Sequence, residues 1–319
     1  MAVAARAPGE YAPAAGARAI ETLAGTAEPL RGARVLHVSA AGAGGRLPER
    51  LGALLSLAAG VGVDAEWRVL FGGPDDNTVA GALEAGLRGS ESAIAPAQRD
   101  AWLDSCRRVG RGLSEGVDMV VLHDAALGLA AEIEDVPVVW RSHRDLSRAE
   151  PDALAVAGPL IDRCTLVLVP DASFAPAGTA ASRLVVAAPG IDPLDSRNLD
   201  LEPRLPGRVV RPLGIDLDRP FCLQVLDLDR WDDPHSAIEI WRHAREQQPG
   251  LQLVLAALLD KSAGWQGAKE VSDYVAGSEG VFLVTSYEGL GGLEVGALQR
   301  LARAALELSL REGFDLAPC

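Results

Sequence analysis

Residues 34–48 read Arg-Val-Leu-His-Val-Ser-Ala-Ala-Gly-Ala-Gly-Gly-Arg-Leu-Pro, and this run decides the fold class. Arg34–Val38 is a short run with β-branched residues and reads as a strand. Gly42–Gly45 is a turn. A helix follows from Pro48 to about Ala59, with proline in the first turn, where its missing N–H leaves no bond unmade. Strand, glycine turn and helix make the first half of a βαβ unit. The alternation continues through the strand candidates Ala65–Leu70, Met119–Leu122, Val136–Trp140, Leu166–Val169 and Leu184–Ala187. Most of these apolar runs are continuous, as in parallel strands covered on both faces. A second series follows, with strands Phe221–Leu226, Leu251–Ala256, Val281–Val284 and Ala304–Leu308 and helices His235–Gln247 and Glu294 to about Arg303. Between the series, about Pro189 to Pro220 is rich in Asp, Pro and Arg and reads as a linker. The fold class is α/β, with two Rossmann-like domains.

Length and composition agree with that reading. The chain has 319 residues, 48% apolar and 23% charged, which suits two globular domains and excludes a largely disordered chain. The expected division is a flexible extension over 1–30, a first domain over 31–205 and a second over 206–319. Lys+Arg 30 against Asp+Glu 44 leaves 30 − 44 = −14. Such a field repels phosphate, so neither nucleic acid nor an anionic membrane surface is an expected partner. Cys106, Cys164, Cys222 and Cys319 show no metal-ligand or redox spacing, and no cofactor or metal is expected. The longest apolar candidate, Leu51–Val63, is short and broken by glycine, and residues 1–18 lack an uninterrupted apolar run. The expectation is a soluble, cytoplasmic protein.

In open α/β sheets ligands sit at the carboxyl ends of strands, so the loops after residues 38, 122, 141, 226 and 308 are the candidate sites. In the first, Gly44 and Gly45 would let backbone N–H groups approach a ligand; a turn kept for packing is the alternative. Neither G-x-G-x-x-G nor a Walker sequence is present, so dinucleotide and P-loop readings are poor. The second loop begins His123-Asp124. The third reads Trp140-Arg141-Ser142-His143-Arg144-Asp145-Leu146-Ser147. Imidazole beside carboxylate can orient sugar hydroxyls or handle protons. The alternative is an N-cap at Asp145 or Ser147 with a solvated Arg141. In the fourth, Asp227, Asp229, Asp232 and Asp233 read as a solvated acidic loop that caps the next helix, with Mg²⁺ binding as the alternative. The last is Ser309-Leu310-Arg311-Glu312-Gly313-Phe314. No Ser/His/Asp or Cys/His arrangement and no G-x-S-x-G elbow can be assigned.

The third and last loops, with Ile191-Asp192-Pro193-Leu194, Gly214–Pro220 and Val295–Arg300, make the chain similar to a known family from about Arg34 to Leu316. It resembles the retaining glycosyltransferases of the trehalose synthase type. The resemblance implies the GT-B fold, two Rossmann-like domains facing a cleft. It implies transfer of glucose from a nucleoside-diphosphate glucose to glucose, or the reverse. Donor binding then falls mainly to the C-terminal domain, and acceptor binding to the N-terminal one. His143 matches the histidine that touches the transferred sugar, and Asp145 the acidic residue near the acceptor. Gly44 and Gly45 match the family's glycine loop, whose third glycine is Arg46 here. Glu312 matches the first carboxylate of an E-x7-E pair, so Glu312 and His143 take the catalytic positions. His123, Asp124, Arg141 and Arg311 join the expected substrate contacts.

Other positions depart from the family. Its donor loop, roughly Q-V-S-R-F-D-P-W-K-D-P, is Gln224-Val225-Leu226-Asp227-Leu228-Asp229-Arg230-Trp231-Asp232-Asp233-Pro234 here. The Arg and Lys that neutralise the leaving diphosphate are Asp227 and Asp232. At roughly 4 Å a unit-charge pair is worth about 1 kcal/mol in water and about 4 at an effective dielectric of 20. Reversing two such pairs opposes donor binding by several kcal/mol. Asp315 stands where the family has glycine. The second carboxylate of the pair falls one residue beyond Cys319, so the C-terminal domain is expected to be shortened, with a sheet edge that self-association into a homo-oligomer would cover. Two readings follow: a trehalose synthase-type enzyme with weakened catalysis, in which Arg230, Arg311 or Mg²⁺ replaces the lost cations, or a noncatalytic relative that binds a sugar or partners an intact homologue.

Overall fold

The computed structural model describes residues 4–39, 46–70, 74–228, 231–259 and 264–310. Among the described residues the chain divides into two compact units, one of residues 4–39 and 50–190 and the other of residues 46–49 and 191–310, whereas a boundary at 205 was expected.

The N-terminal unit is built on a six-stranded sheet of β1 (Arg34–Ser39), β2 (Asp64–Val69), β3 (Met119–His123), β4 (Val138–Arg141), β5 (Leu166–Val169) and β6 (Leu184–Val186). The spatial order is β2-β1-β3-β4-β5-β6, and every pair is parallel. Leu36, Val38, Val120, Leu122, Val138 and Trp140 pack on one face. Val35, Val121 and Val139 pack on the other with Ala27 and Val63. Burial on both faces explains the continuous apolar runs. Residues 4–30, expected as a flexible extension, contain helices α1 (Ala12–Ala15) and α2 (Ala17–Ala27). They are held because Tyr11 and Ala27 are buried and the Arg6 amide donates to Ser56 O at 3.0 Å.

The strands are joined through α3 (Arg46–Gly60), α4 (Pro74–Leu87), α5 (Pro96–Gly110) and α6 (Pro151–Arg163). Leu51 and Leu55 of α3 bury against Trp67 of β2. Ala153, Ala157, Leu160 and Ile161 form the buried stripe of α6, at the spacing of a helix face.

The second unit begins in the segment expected as linker, and that expectation is corrected. The segment folds through aspartate-built turns: Asp192 Oδ1 accepts the Leu194 amide at 2.9 Å and Asp195 Oδ1 the Arg197 amide at 2.8 Å. It then forms α7 (Leu205–Val210), whose Val210 is fully buried. Strands β7 (Phe221–Leu226), β8 (Gln252–Ala257), β9 (Val281–Thr285) and β10 (Ala304–Ala305) are parallel in the order β10-β7-β8-β9. Helices α8 (Pro234–Gln247), α9 (Gly264–Val275) and α10 (Gly292–Leu301) accompany them. The expected strand over 304–308 is shorter, and one further bond, Leu306 N to Leu223 O at 2.7 Å, extends its ladder. Gly296 lets α10 close on the turn before α7, since a Cβ there would lie 2.1 Å from Arg197 O.

Candidate functional site

In the N-terminal unit the sheet order turns around between β1 and β3, because β1 is followed by β2 on one side and by β3 on the other. The crevice outside the carboxyl ends at such a switch point is where open α/β sheets bind ligands. Side chains alternate along a strand, so His37, His123 and Arg141 continue the face that carries Val35, Val121 and Val139. His123 is the register partner of Arg141. That face therefore turns from apolar to polar at its carboxyl end.

Three imidazoles run in file across this end. His37 Nδ1 lies 3.1 Å from His123 Nε2, and His123 Nδ1 lies 3.0 Å from His143 Nε2. Interplanar angles of 23° and 19° with centroid separations of 5.4 and 5.3 Å place the rings edge to edge. His123 is 1% exposed, whereas His37 and His143 are half-buried. Burial pushes all three down, His37 to about 4, His123 to about 2 and His143 to about 3. Arg141 adds to each shift, and Arg50 and Arg144 add to that of His143. The rings are neutral at pH 7.

Asp124 follows β3 in the left-handed region at φ 43°, which aspartate tolerates better than most residues. Its Oδ1 accepts the His143 amide at 2.8 Å, and its carbonyl accepts Trp140 Nε1 at 3.1 Å. These two bonds tie β4 and the loop after it to the end of β3. Burial raises the Asp124 carboxyl, opposed by Arg144, the His143 amide, Arg88 and Arg141. Burial likewise lowers the Arg141 guanidinium, while Asp124 supports its charge. On the side of the sheet that carries Trp140, Asp124 and Arg144 border a small cavity lined by Leu83, Leu127 and Leu146.

The structure thus brings His123, Asp124, Arg141 and His143 into one cluster. Asp145 lies in the same loop, and its Oδ1 accepts the Ser147 amide at 2.9 Å. The alternative of a helix cap at Asp145 or Ser147 is corrected: α6 starts at Pro151 after Glu150, and Asp145 builds a local turn. Gly44, Gly45, Arg311 and Glu312 lie outside the described residues, as do Arg230 and Asp315. His37, Arg50, Arg88 and Arg144 were missed as members of the cluster. For His37 and Arg50 the signal is an imidazole or charged side chain within an otherwise strand- or helix-forming run, which becomes informative only with the tertiary structure, whereas Arg144 stands in the third candidate loop and Arg88 just after α4.

In the second unit, the loop after β7 caps the next helix as expected, but Asp232 is not solvated. Asp232 is 2% exposed. Its Oδ2 accepts the Asp227 amide at 2.9 Å, and its carbonyl accepts Gln224 Nε2 at 2.7 Å. Asp233, at φ 42°, caps α8 through Ser236, whose amide and hydroxyl it accepts at 3.1 and 2.6 Å. Among the described residues no group of three His, Cys, Asp or Glu is arranged to hold a metal, and no helix is long and apolar enough to cross a membrane.

Residues 37–176, which span the cluster, match the model of the trehalose synthase N-terminal domain. The trehalose synthase of Rubrobacter xylanophilus is 32% identical over 297 residues, covering 90% of this chain and 71% of that protein. The chain belongs to the trehalose synthase family. Solved structures share its fold at lower identity. A UDP-forming trehalose-phosphate synthase from Burkholderia vietnamiensis aligns with a TM-score of 0.65 at 14% identity, covering 89% of this chain and 78% of that one. Anabaena HepE in complex with UDP-glucose aligns with a TM-score of 0.52 at 16% identity, covering 86% and 74%. The fold of this trehalose synthase relative is GT-B, with two units built on parallel sheets.

Proposed function

We propose that the chain is a glycosyltransferase of the trehalose synthase type that binds glucose or trehalose at the histidine cluster and transfers glucose inefficiently. The observation that supports the sugar site is the file of neutral imidazoles at the carboxyl end of the sheet, with Arg141 at the end of β4 and Asp124 holding the His143 backbone amide. A neutral imidazole offers one donor and one acceptor, and so does a sugar hydroxyl. In this reading His143 contacts the sugar, Arg141 donates to a hydroxyl, and Asp124 positions His143 by holding its amide. Asp145 and the loop of Gly44 and Gly45 stand near the acceptor. Glu312 holds the donor sugar and Arg311 lends it positive charge.

The donor is a nucleoside-diphosphate glucose, a class represented by the UDP-glucose bound to HepE. Transfer breaks the bond between the anomeric carbon and the diphosphate, forms one to the acceptor oxygen, and releases the hydroxyl proton and the nucleoside diphosphate. Stabilising charge on such a leaving group is often the largest catalytic contribution. Asp227 and Asp232 occupy the positions of the family's cations in that loop, and this is the reason for slow transfer. A noncatalytic sugar-binding protein, acting alone or beside an intact homologue, is the second reading. Burial of Asp232 within the loop favours it, because that carboxylate is part of the loop's own bonding. The chemistry suits the cytoplasm, where nucleotide sugars are made.

Calorimetric titration with glucose, trehalose and ADP-, GDP- and UDP-glucose tests both readings. The expected result is binding of glucose or trehalose with donor binding weaker than micromolar. Micromolar binding of any donor removes the noncatalytic reading, and absence of sugar binding removes the sugar site.

A further inference from the structure

The file of imidazoles has a property beyond sugar contact. A neutral imidazole carries its proton on one nitrogen and a lone pair on the other. The contacts at 3.1 and 3.0 Å therefore each need one donor and one acceptor. If His37 donates from Nδ1 to His123 Nε2, His123 must carry its proton on Nδ1, and it donates that proton to His143 Nε2. His143 then carries its own proton on Nδ1. If the direction is reversed, all three rings carry the proton on Nε2. A mixed arrangement leaves two lone pairs or two protons facing each other, with His123 buried between its neighbours.

We propose that His37, His123 and His143 form a tautomer-coupled relay in which His37 acts as a positioning residue, setting whether His143 Nδ1 donates to or accepts from a sugar hydroxyl. Exchange between the two states balances. One proton from solvent water enters at His37 Nε2, two protons pass along the file, and one leaves from His143 Nδ1. Three N–H bonds form and three break, and no net charge remains in the buried site. His37 and His143, at the two ends of the file, keep partial exposure as residues, whereas His123 between them is 1% exposed, so exchange with solvent is assigned to the two ends. Arg141 acts on all three rings, and Arg50 and Arg144 on His143. A mobile positive charge is disfavoured there, and a relay that moves protons without accumulating charge meets that constraint. The proposal rests on the reading of His143 as a sugar contact.

The test is 15N NMR of the histidine rings in the full chain, free and with glucose or trehalose, because ring 15N shifts report which nitrogen is protonated. The expected result is one tautomer shared by all three rings in each condition, with any change at His143 on sugar addition mirrored at His37. Different tautomers within the file, or a change at His143 without one at His37, overturn the relay whatever the sugar does. A shared tautomer with no response to saturating sugar at any ring overturns instead the sugar reading, and with it the coupling to a ligand. Variants give a second readout. His37→Phe should weaken sugar binding about five-fold, the scale of one hydrogen bond. His37→Asn, whose amide takes the place of Nδ1, should restore it. Equal loss in both variants overturns the relay in favour of a packing role.

Discussion

Lowering the pH should destabilise the N-terminal unit by an amount that the histidine file sets. The folded-state values of His37, His123 and His143 are pushed down to about 4, 2 and 3. Unfolding returns each ring to water and to its ordinary value of about 6.5. Between pH 6.5 and 5 the unfolded chain binds protons that the folded chain refuses, so stability falls as pH falls. Integrated over that window, one such ring loses about 1.6 kcal/mol, and three lose about 5. The Asp124 carboxyl, raised by burial, works in the opposite direction on acidification. Total stabilities of about 5–15 kcal/mol make the effect large. Urea unfolding followed by tryptophan fluorescence at intervals from pH 7 to 5 measures it. His37→Asn should remove about 1.6 kcal/mol of the pH dependence. Wild-type stability flat to within about 1 kcal/mol over this window, or ring signals titrating near 6.5, would refute a neutral buried file.

Other substitutions probe packing and the loop after β7. Gly296→Ala should destabilise the second unit by about 2 kcal/mol in thermal unfolding, because its Cβ meets the backbone oxygen of Arg197. Gly81→Ala, in α4 with open space around it, should stabilise by up to about 1 kcal/mol. Asp233→Ala should lose about 1–2 kcal/mol through the cap and the positive φ, whereas Asp233→Asn should change little, as circular dichroism melts can show. Asp232→Lys should lower stability by about 3 kcal/mol or more, since it puts an unpaired charge where the Asp227 amide needs an acceptor. Asp227→Arg is thus the better route to stronger nucleoside-diphosphate glucose binding, read by calorimetry.

Local pattern was enough for much of this molecule. Uninterrupted apolar runs at 119–122 and 166–169, and largely apolar ones at 34–38 and 221–226, marked the parallel strands, because burial on both faces leaves a signature within each run. The loops at their carboxyl ends held His123, Asp124, Arg141 and His143, and the motif Trp140–Ser147 carried the family. Pattern failed where the outcome depends on non-local packing. Residues 189–220 are polar and aperiodic, yet their aspartates close turns and Val210 enters a core built by residues far along the chain. The run at 226–234 reads as acidic and solvated, yet Asp232 is buried because a backbone amide and the side chain of Gln224 bond to it. His37 belongs to the site only through strand register. Its separation from His123 along the chain is invisible to periodicity, and β1 lying beside β3 brings the rings within hydrogen-bond distance. Residue type determined which elements form and which polar groups stand at their ends. The sheet order and register decided which of those groups meet, because hydrogen bonds between strands and the burial they create are properties of the assembled sheet.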